Sequence, residues 1–292
     1  MNVLLQAREL RLPPRLDRLS LSLHRGETVG LLGINGAGKS SLLAALAGAL
    51  PGARGRVRVA GSPLTRASRR RIGWLPQRPP LYPELTVREN LRFFAGLQGQ
   101  GHPPDDRCAS LLEHFDLAPL QGRLAGRLSG GERMRLGLAC VLAHEPDILL
   151  LDEPTAGLDP LQAERLRTHI QAIADERAVL IASHLLPDIE RLCTRALLMH
   201  QGRIVAEQAL DHPPRICARF DRPPADPELL ALPGINGVAR HDDGSLWLSL
   251  AEDAPPDLAE RVAAGGWGLR EWRREGPDLL SRFRELSLGE AA

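Results

Sequence analysis

The residues best suited to do chemistry in this chain are Gly33, Ile34, Asn35, Gly36, Ala37, Gly38, Lys39 and Ser40. They fit the spacing G-x-x-x-x-G-K-[ST], in which successive backbone N–H groups cradle phosphate. Residues 28–32 before them read as a buried strand, and residues 41–47, beginning at Ser41, as an apolar helix. Strand, glycine loop and helix N-terminus in that order aim several N–H groups, to Ser41, at one anion. Lys39 would reach the β- and γ-phosphates, and the Ser40 hydroxyl would ligate Mg²⁺. Of the 37 Lys+Arg residues, Lys39 is the sole lysine. Chance would put it here about once in 37, and a compact ammonium fits a phosphate cradle where a planar guanidinium would not.

Residues 148–154 (ILLLDEP) carry a second candidate. Four apolar residues read as a buried strand, and Asp152 and Glu153 stand at its end, where ligands bind in α/β sheets. Adjacent strand residues alternate in direction, so the two carboxylates are expected to divide the labour. Asp152 would hold the hydration shell of Mg²⁺, and Glu153 would orient and polarise an attacking water. Gln77, after Ile72–Leu75, could touch Mg²⁺ and the water; His184, after residues 178–182, could contact the γ-phosphate. Asp159 sits just past the acidic pair. A lone histidine at a strand end is more often structural; order and spacing lift these residues together.

A phosphate loop alone leaves kinases, GTPases and many ATPases open. Leu128, Ser129, Gly130, Gly131 and Glu132, opening a helix over residues 133–143, narrow the choice. A serine followed by two glycines leaves helix N-terminal N–H groups open to a second anion; the plainer reading is a serine cap. One nucleotide rarely needs two such sites in one chain, so Ser129, Gly130 and Gly131 are expected to serve the nucleotide of a second copy.

The scaffold these residues need is visible in the pattern. Residues 3–5, 19–23, 57–59 and Ile72–Leu75 read as further strands, and 81–85 as a loop. Thr86 caps a helix through Leu97, with Glu89 completing a capping box. Residues 99–106 break it, residues 107–115 resume as helix, and no strand follows before Ala143, so 79–143 is expected to be a helical insertion. Strand 148–151, helix Pro160–Ala174, strand 178–182, helix 185–192 and strands 196–199 and 204–206 follow. That alternation predicts an α/β fold with a mainly parallel sheet covered on both faces. Pro213-Pro214 and residues 222–227 punctuate the chain, dividing a first domain, 1–212, from a second, 218–292. Strands at 245–250 and 268–272 and helices at 257–264 and 279–286 make the second a small α+β domain.

Composition is that of an ordinary globular protein, 43% hydrophobic and 25% charged. A net charge of +1 gives no reason to expect a nucleic-acid partner. The arginines of residues 66–71 read as a solvated turn. Cys108, Cys140, Cys193 and Cys217 are widely spaced and read as reduced thiols of a cytosolic protein; Cys140 and His144 alone make no metal site. No run nears the roughly 18 apolar residues that cross a bilayer, and residues 1–12 lack a secretory pattern. Work at a membrane would need a separate subunit.

Taken in order, these motifs resemble the ATP-binding subunits of ATP-binding-cassette (ABC) transporters. GINGAGKS resembles the Walker A motif, Gln77 the Q-loop, LSGGE the family signature, ILLLDEP the Walker B strand, AGLD with Asp159 the D-loop, and His184 the switch histidine. The resemblance covers residues 1 to about 210 and implies a P-loop NTPase fold, ATP with Mg²⁺, and hydrolysis involving Glu153, His184, Gln77 and Asp159. It further implies a head-to-tail homodimer, or a dimer with a related ATPase subunit. Each ATP would lie between one chain's phosphate loop and the other's residues 129–131. Integral membrane permease subunits would dock near residues 77–85, making the protein peripheral on the cytoplasmic face of the inner membrane. Residues 81–96 and the trailing domain resemble ATPases of ABC-2-type exporters of the drug-resistance and copper-enzyme-maturation groups, so export leads. An importer ATPase with a regulatory C-terminal domain, or a soluble non-transport ABC ATPase, is the alternative; a single cassette and no heptad run argue against the soluble kinds.

The chain departs from the family in three places. The family's N-terminal aromatic that stacks on adenine is missing from residues 11–15 (RLPPR), where an arginine could stack instead, and weak discrimination between ATP and GTP is expected. Glu132 replaces the commoner glutamine. Residues 277–280 only loosely echo a Ser-Leu-Glu-Asp stretch, so the trailing domain could regulate, brace the dimer or bind a further partner.

Overall fold

The structure, a computed structural model, describes residues 2–97, 105–210, 215–241, 243–251 and 254–275. The chain divides into two compact units, Met1–Gln208 and Ala209–Ala292. The first runs β1 (Val3–Leu12), β2 (Leu16–His24), β3 (Glu27–Leu32), α1 (Lys39–Leu46), β4 (Arg54–Val59), β5 (Ser62–Pro63), α2 (Arg66–Arg69) and β6 (Ile72–Leu75). Helices α3 (Val87–Leu97), α4 (Asp105–His114) and α5 (Gly130–Leu142) follow, then β7 (Ile148–Asp152), α6 (Pro160–Ala174), β8 (Ala178–Ser183), α7 (Leu186–Leu192), β9 (Arg195–His200) and β10 (Arg203–Ala209).

Six strands form the central sheet in the order β10-β9-β3-β8-β7-β6. Its inner strands are parallel: Leu32 pairs with Ser183, Asp152 with Ala182 and Leu75 with Leu151. Strands β7 and β8 are buried along their whole length, as parallel strands covered on both faces must be. The other N-terminal strands do not join this sheet. β2, β1, β4 and β5 form a separate antiparallel sheet, because the short connection between β1 and β2 can link only antiparallel neighbours. Helix α1 belongs to the core that both sheets share: Leu42, Leu43 and Leu46 cluster with Leu5 and Leu21 and with Leu31, Leu150 and Leu180. Past its first turn, where Ser40 is exposed, the all-apolar stretch of residues 42–46 suits a helix segment buried on every side. On α7, Ile189 packs so closely on Gly30 that a Cβ there would lie 2.6 Å from it.

Thr86 and Glu89 make the expected capping box: Thr86 N donates to Glu89 Oε2 at 2.8 Å, and Glu89 N donates to Thr86 Oγ1 at 3.2 Å. The break expected at 99–106 lies largely outside the described residues. The arginines at 66–71 are more ordered than a turn. Thr65 caps α2, and Arg71 Nε donates to Asp147 Oδ2 at 2.6 Å.

The second unit holds β11 (Arg215–Phe220), α8 (Asp226–Leu230), β12 (Ile235–Arg240), β13 (Leu246–Leu250), α9 (Leu258–Ala264) and β14 (Leu269–Glu275). Its antiparallel sheet runs β12-β13-β11-β14, over a core of Ile216, Ala218, Leu229, Leu248 and Val262. A boundary at 218 would cut β11, an inner strand paired on both sides; the division falls after Gln208 instead. The helix expected at 279–286 lies outside the described residues.

Candidate functional site

Strand register gathers the candidate residues at one edge of the central sheet. Leu32 stands opposite Ser183, Ala182 opposite Asp152, and Leu151 opposite Leu75. The residues just past those ends are Gly33, His184, Glu153 and, two beyond Leu75, Gln77. Parallel strands in step therefore deliver four distant stretches to the carboxyl edge, where α/β sheets bind ligands.

The phosphate loop is shaped by its neighbours. A Cβ at Gly33 would lie 2.5 Å from the Met199 carbonyl oxygen, and one at Gly38 2.7 Å from that of Arg15. Gly38 caps α1 at φ +102° and brings no side chain to its first-turn N–H groups, and no acid lies in that turn. The position of a Cβ at Gly36 has open space around it. An uncapped helix N-terminus behind an open loop fits a phosphate group.

Lys39 is 6% exposed and its ammonium is well held. Nζ donates to the Gly33 carbonyl at 2.6 Å and that of Ile34 at 3.3 Å, and lies 3.4 Å from Glu153 Oε1. Glu153 Oε2 lies 2.7 Å from His184 Nδ1. Asp152, 3% exposed, lies beside Ser40, while its Oδ1 has no hydrogen-bond partner among the described residues. Burial pushes the Asp152 carboxyl up; the Ser40 hydroxyl beside it opposes this, and the neighbouring Glu153 charge adds to it. A buried carboxylate oxygen without a partner, beside a serine hydroxyl, fits the ligand set of a divalent cation.

The two carboxylates do not separate as strand alternation predicts. Glu153 has φ +50°, a left-handed turn at the strand end that brings both onto adjacent residues of α1: Asp152 meets Ser40 and Glu153 meets Lys39. Strain of this kind costs about 1–3 kcal/mol and persists where surrounding structure enforces it.

A buried network that sequence reasoning missed braces this edge. Asp188 is 1% exposed and accepts from Thr155 Oγ1, from Ser183 Oγ at 3.3 Å and from Arg167 Nε at 2.8 Å. It ties the chain just after Glu153 to the strand end just before His184. Only the polar types at 155, 183 and 188 could have signalled it, and they carry no periodicity.

The remaining candidates stand apart. Gln77 is exposed beyond β6. Asp159 caps α6, accepting from Gln162 N at 3.0 Å. Ser129 caps α5 in a full capping box: Ser129 N donates to Glu132 Oε2 at 2.6 Å, and Glu132 N donates to Ser129 Oγ at 3.2 Å. That bond from Ser129 N holds the Glu132 carboxyl below the usual range. The geometry of the plain serine cap is thus present. Among the described residues no hydrogen bond or ion pair joins Gln77, Asp159, Ser129, Gly130 or Gly131 to the Lys39 cluster.

Known proteins resemble this chain. Residues 16–156 match the family described as ABC transporter. The Escherichia coli probable multidrug ABC transporter ATP-binding protein YbhF is 37% identical over 200 residues, 67% of this chain but 34% of that protein. The Burkholderia pseudomallei Nod factor export ATP-binding protein I is 41% identical over 202 residues, 66% of each. The chain thus spans between a third and two thirds of these relatives. The Bacillus subtilis uncharacterized ABC transporter ATP-binding protein YdbJ is 33% identical over 250 residues, 83% of this chain and 80% of that protein. Among solved structures, the ADP conformation of MJ1267, an ATP-binding cassette of an ABC transporter, aligns with a TM-score of 0.63 at 27% identity, covering 72% of this chain and 92% of that one. With a relative matched over four fifths of its length and this phosphate-loop geometry, the chain belongs to the ATP-binding proteins of the ABC transporter family.

Proposed function

We propose that this chain hydrolyses ATP in a head-to-tail dimer and so powers export by separate membrane-spanning subunits. The observation that carries the reading is the buried chain Lys39–Glu153–His184 beside Asp152 and Ser40. Lys39 Nζ exchanges its carbonyl contacts for β- and γ-phosphate oxygens. Glu153 accepts a proton from the attacking water, and His184 holds its other oxygen in place. Ser40, Asp152 and Gln77 would hold Mg²⁺, which when bound neutralises charge on the phosphates. The open first turn of α1 binds the phosphate chain. Arg15 is exposed, its side chain makes no hydrogen bond or ion pair among the described residues, and its carbonyl oxygen abuts Gly38, which suits a guanidinium stacked on the base.

In the dimer, Ser129, Gly130 and Gly131 face the partner's nucleotide, and Asp159 lines the same seam. Among the described residues no helix is long and apolar enough to cross a membrane; permease subunits docked near residues 77–85 would supply the spanning part. Export rests on relatives named for multidrug and Nod factor export. The protein then works peripherally, on the cytoplasmic face of the inner membrane.

The test is recovery of tagged Glu153→Gln protein from detergent-solubilised membranes of its host with ATP and Mg²⁺ present. A multi-spanning membrane protein in a two-to-two complex supports the reading. Recovery only from the soluble fraction, with no such partner, overturns it.

A further inference from the structure

Arg135, on α5, is 5% exposed. Among the described residues its one side-chain hydrogen bond is from Nη1 to the Gln162 side-chain oxygen at 2.8 Å, its Nε is buried without a partner, and no carboxylate forms an ion pair with it. A buried guanidinium held by a neutral amide alone is an expensive arrangement.

Local physics favours a glutamate at 162. The position is the third of α6, after the Asp159 cap, where an acid interacts well with the helix dipole. A carboxylate there would also pair with Arg135. The chain has glutamine, so the charge stays uncompensated. Glu132 feels the guanidinium's field, but its carboxylate is committed to the Ser129 N–H at 2.6 Å.

The geometry shows where the charge is directed. Arg135 lies four residues after Gly131, on the same face of α5, and helical side chains tilt toward the N-terminus. The Gln162 oxygen that holds Arg135 would also lie 2.7 Å from a Cβ at Gly131. One amide oxygen thus touches both the guanidinium and the glycine.

We propose that Arg135 is a positioning residue whose charge is held in reserve, kept unpaired by Gln162, to attract the terminal phosphate of a second copy's ATP to Ser129, Gly130 and Gly131. The inference rests on the dimer reading given above. Two unit charges about 8 Å apart at an effective dielectric near 20 change an equilibrium by roughly tenfold to thirtyfold.

The experiment uses full-length protein carrying Glu153→Gln, which should hold ATP with little turnover. ATP-dependent pairing is read by analytical ultracentrifugation, ATP binding to the monomer by a fluorescent ATP analogue, and folding by thermal melting. Gln162→Glu keeps the contact and its shape while neutralising Arg135. It should leave the melting temperature equal or higher and monomer affinity within about twofold, yet weaken pairing about tenfold or more. Arg135→Lys keeps the charge and should pair within about threefold of the parent. Unchanged pairing in Gln162→Glu, or pairing lost as fully in Arg135→Lys, overturns the inference while the dimer reading stands. A Glu153→Gln parent that never pairs with ATP overturns both.

Discussion

Asp152→Asn should move two readouts in opposite directions. Asp152 lies beside Ser40; its Oδ1 is buried without a partner among the described residues, next to a second carboxylate at Glu153. An unsatisfied buried group of this kind costs about 1–3 kcal/mol. Asparagine has the same shape, keeps an acceptor beside Ser40, and turns an amide donor toward Glu153. The nucleotide-free first unit should therefore gain about 1–3 kcal/mol, which at about 2–4 °C per kcal/mol raises its melting temperature by several degrees. Ligand at about a hundred times its dissociation constant adds about 2.7 kcal/mol to wild type. In the variant the Mg²⁺-dependent part of that gain should vanish, leaving only what ATP gives with EDTA present. Scanning calorimetry with no ligand, with ATP and EDTA, and with ATP and Mg²⁺ reads both effects. A nucleotide-free melting temperature below wild type would show that Asp152 is satisfied and structural. A full Mg²⁺-dependent shift in the variant would refute its role as a ligand.

Other expectations follow from the same geometry. Glu153→Gln should retain ATP affinity and lose about 10²–10⁴-fold in phosphate release; turnover like wild type would remove Glu153 from the chemistry. Gly33→Ala places a methyl 2.5 Å from the Met199 carbonyl oxygen, whereas one at Gly36 meets open space at φ +87°. Unfolding free energies from urea titration should thus fall further for Gly33→Ala, with about 1–3 kcal/mol of overpacking, and equal values would contradict the packing described. Burial alone would raise the Glu27 carboxyl, but hydrogen bonds from Arg195 and from His24 hold it below its ordinary 4.5. A lowered folded pKa gives stability that is complete above about pH 4.5 and fades as acid protonates the folded carboxylate. Below that pH the melting temperature of wild type should fall more steeply than that of Arg195→Gln; parallel curves would exclude the Glu27–Arg195 pair as the cause.

Much of this was legible because the governing patterns are local. A glycine loop between an apolar strand and an apolar helix, and an acidic pair closing ILLL, need only short-range rules. What escaped depends on pairing between distant stretches. Nothing in residues 3–24 tells whether that hairpin joins the parallel sheet or lies apart from it. Strand β11 went unread although Ile216, Ala218 and Phe220 alternate onto its core face, because the prolines on either side read as a break in the chain, and β12 because a register irregularity between Ile235 and Gly237 breaks its alternation. The Asp188 network joins residues from 155 to 188 through a contact no spacing announces. The left-handed turn at Glu153 is of the same kind, since only the packed site shows why a non-glycine residue should adopt it.

The solitary lysine makes the protein its own occupancy sensor. Lys39 carries the only side-chain amine in the chain, bound at rest to two carbonyl oxygens and a carboxylate. An acylating reagent whose stable products form only on amines therefore has Lys39 as its one side-chain target. The yield of acylated Lys39 in mass spectrometry then reports directly whether phosphate fills the loop, with no background from the surface. The same scarcity confines lysine acetylation or ubiquitination of this sequence to that one position, so any such mark on it would silence the site outright.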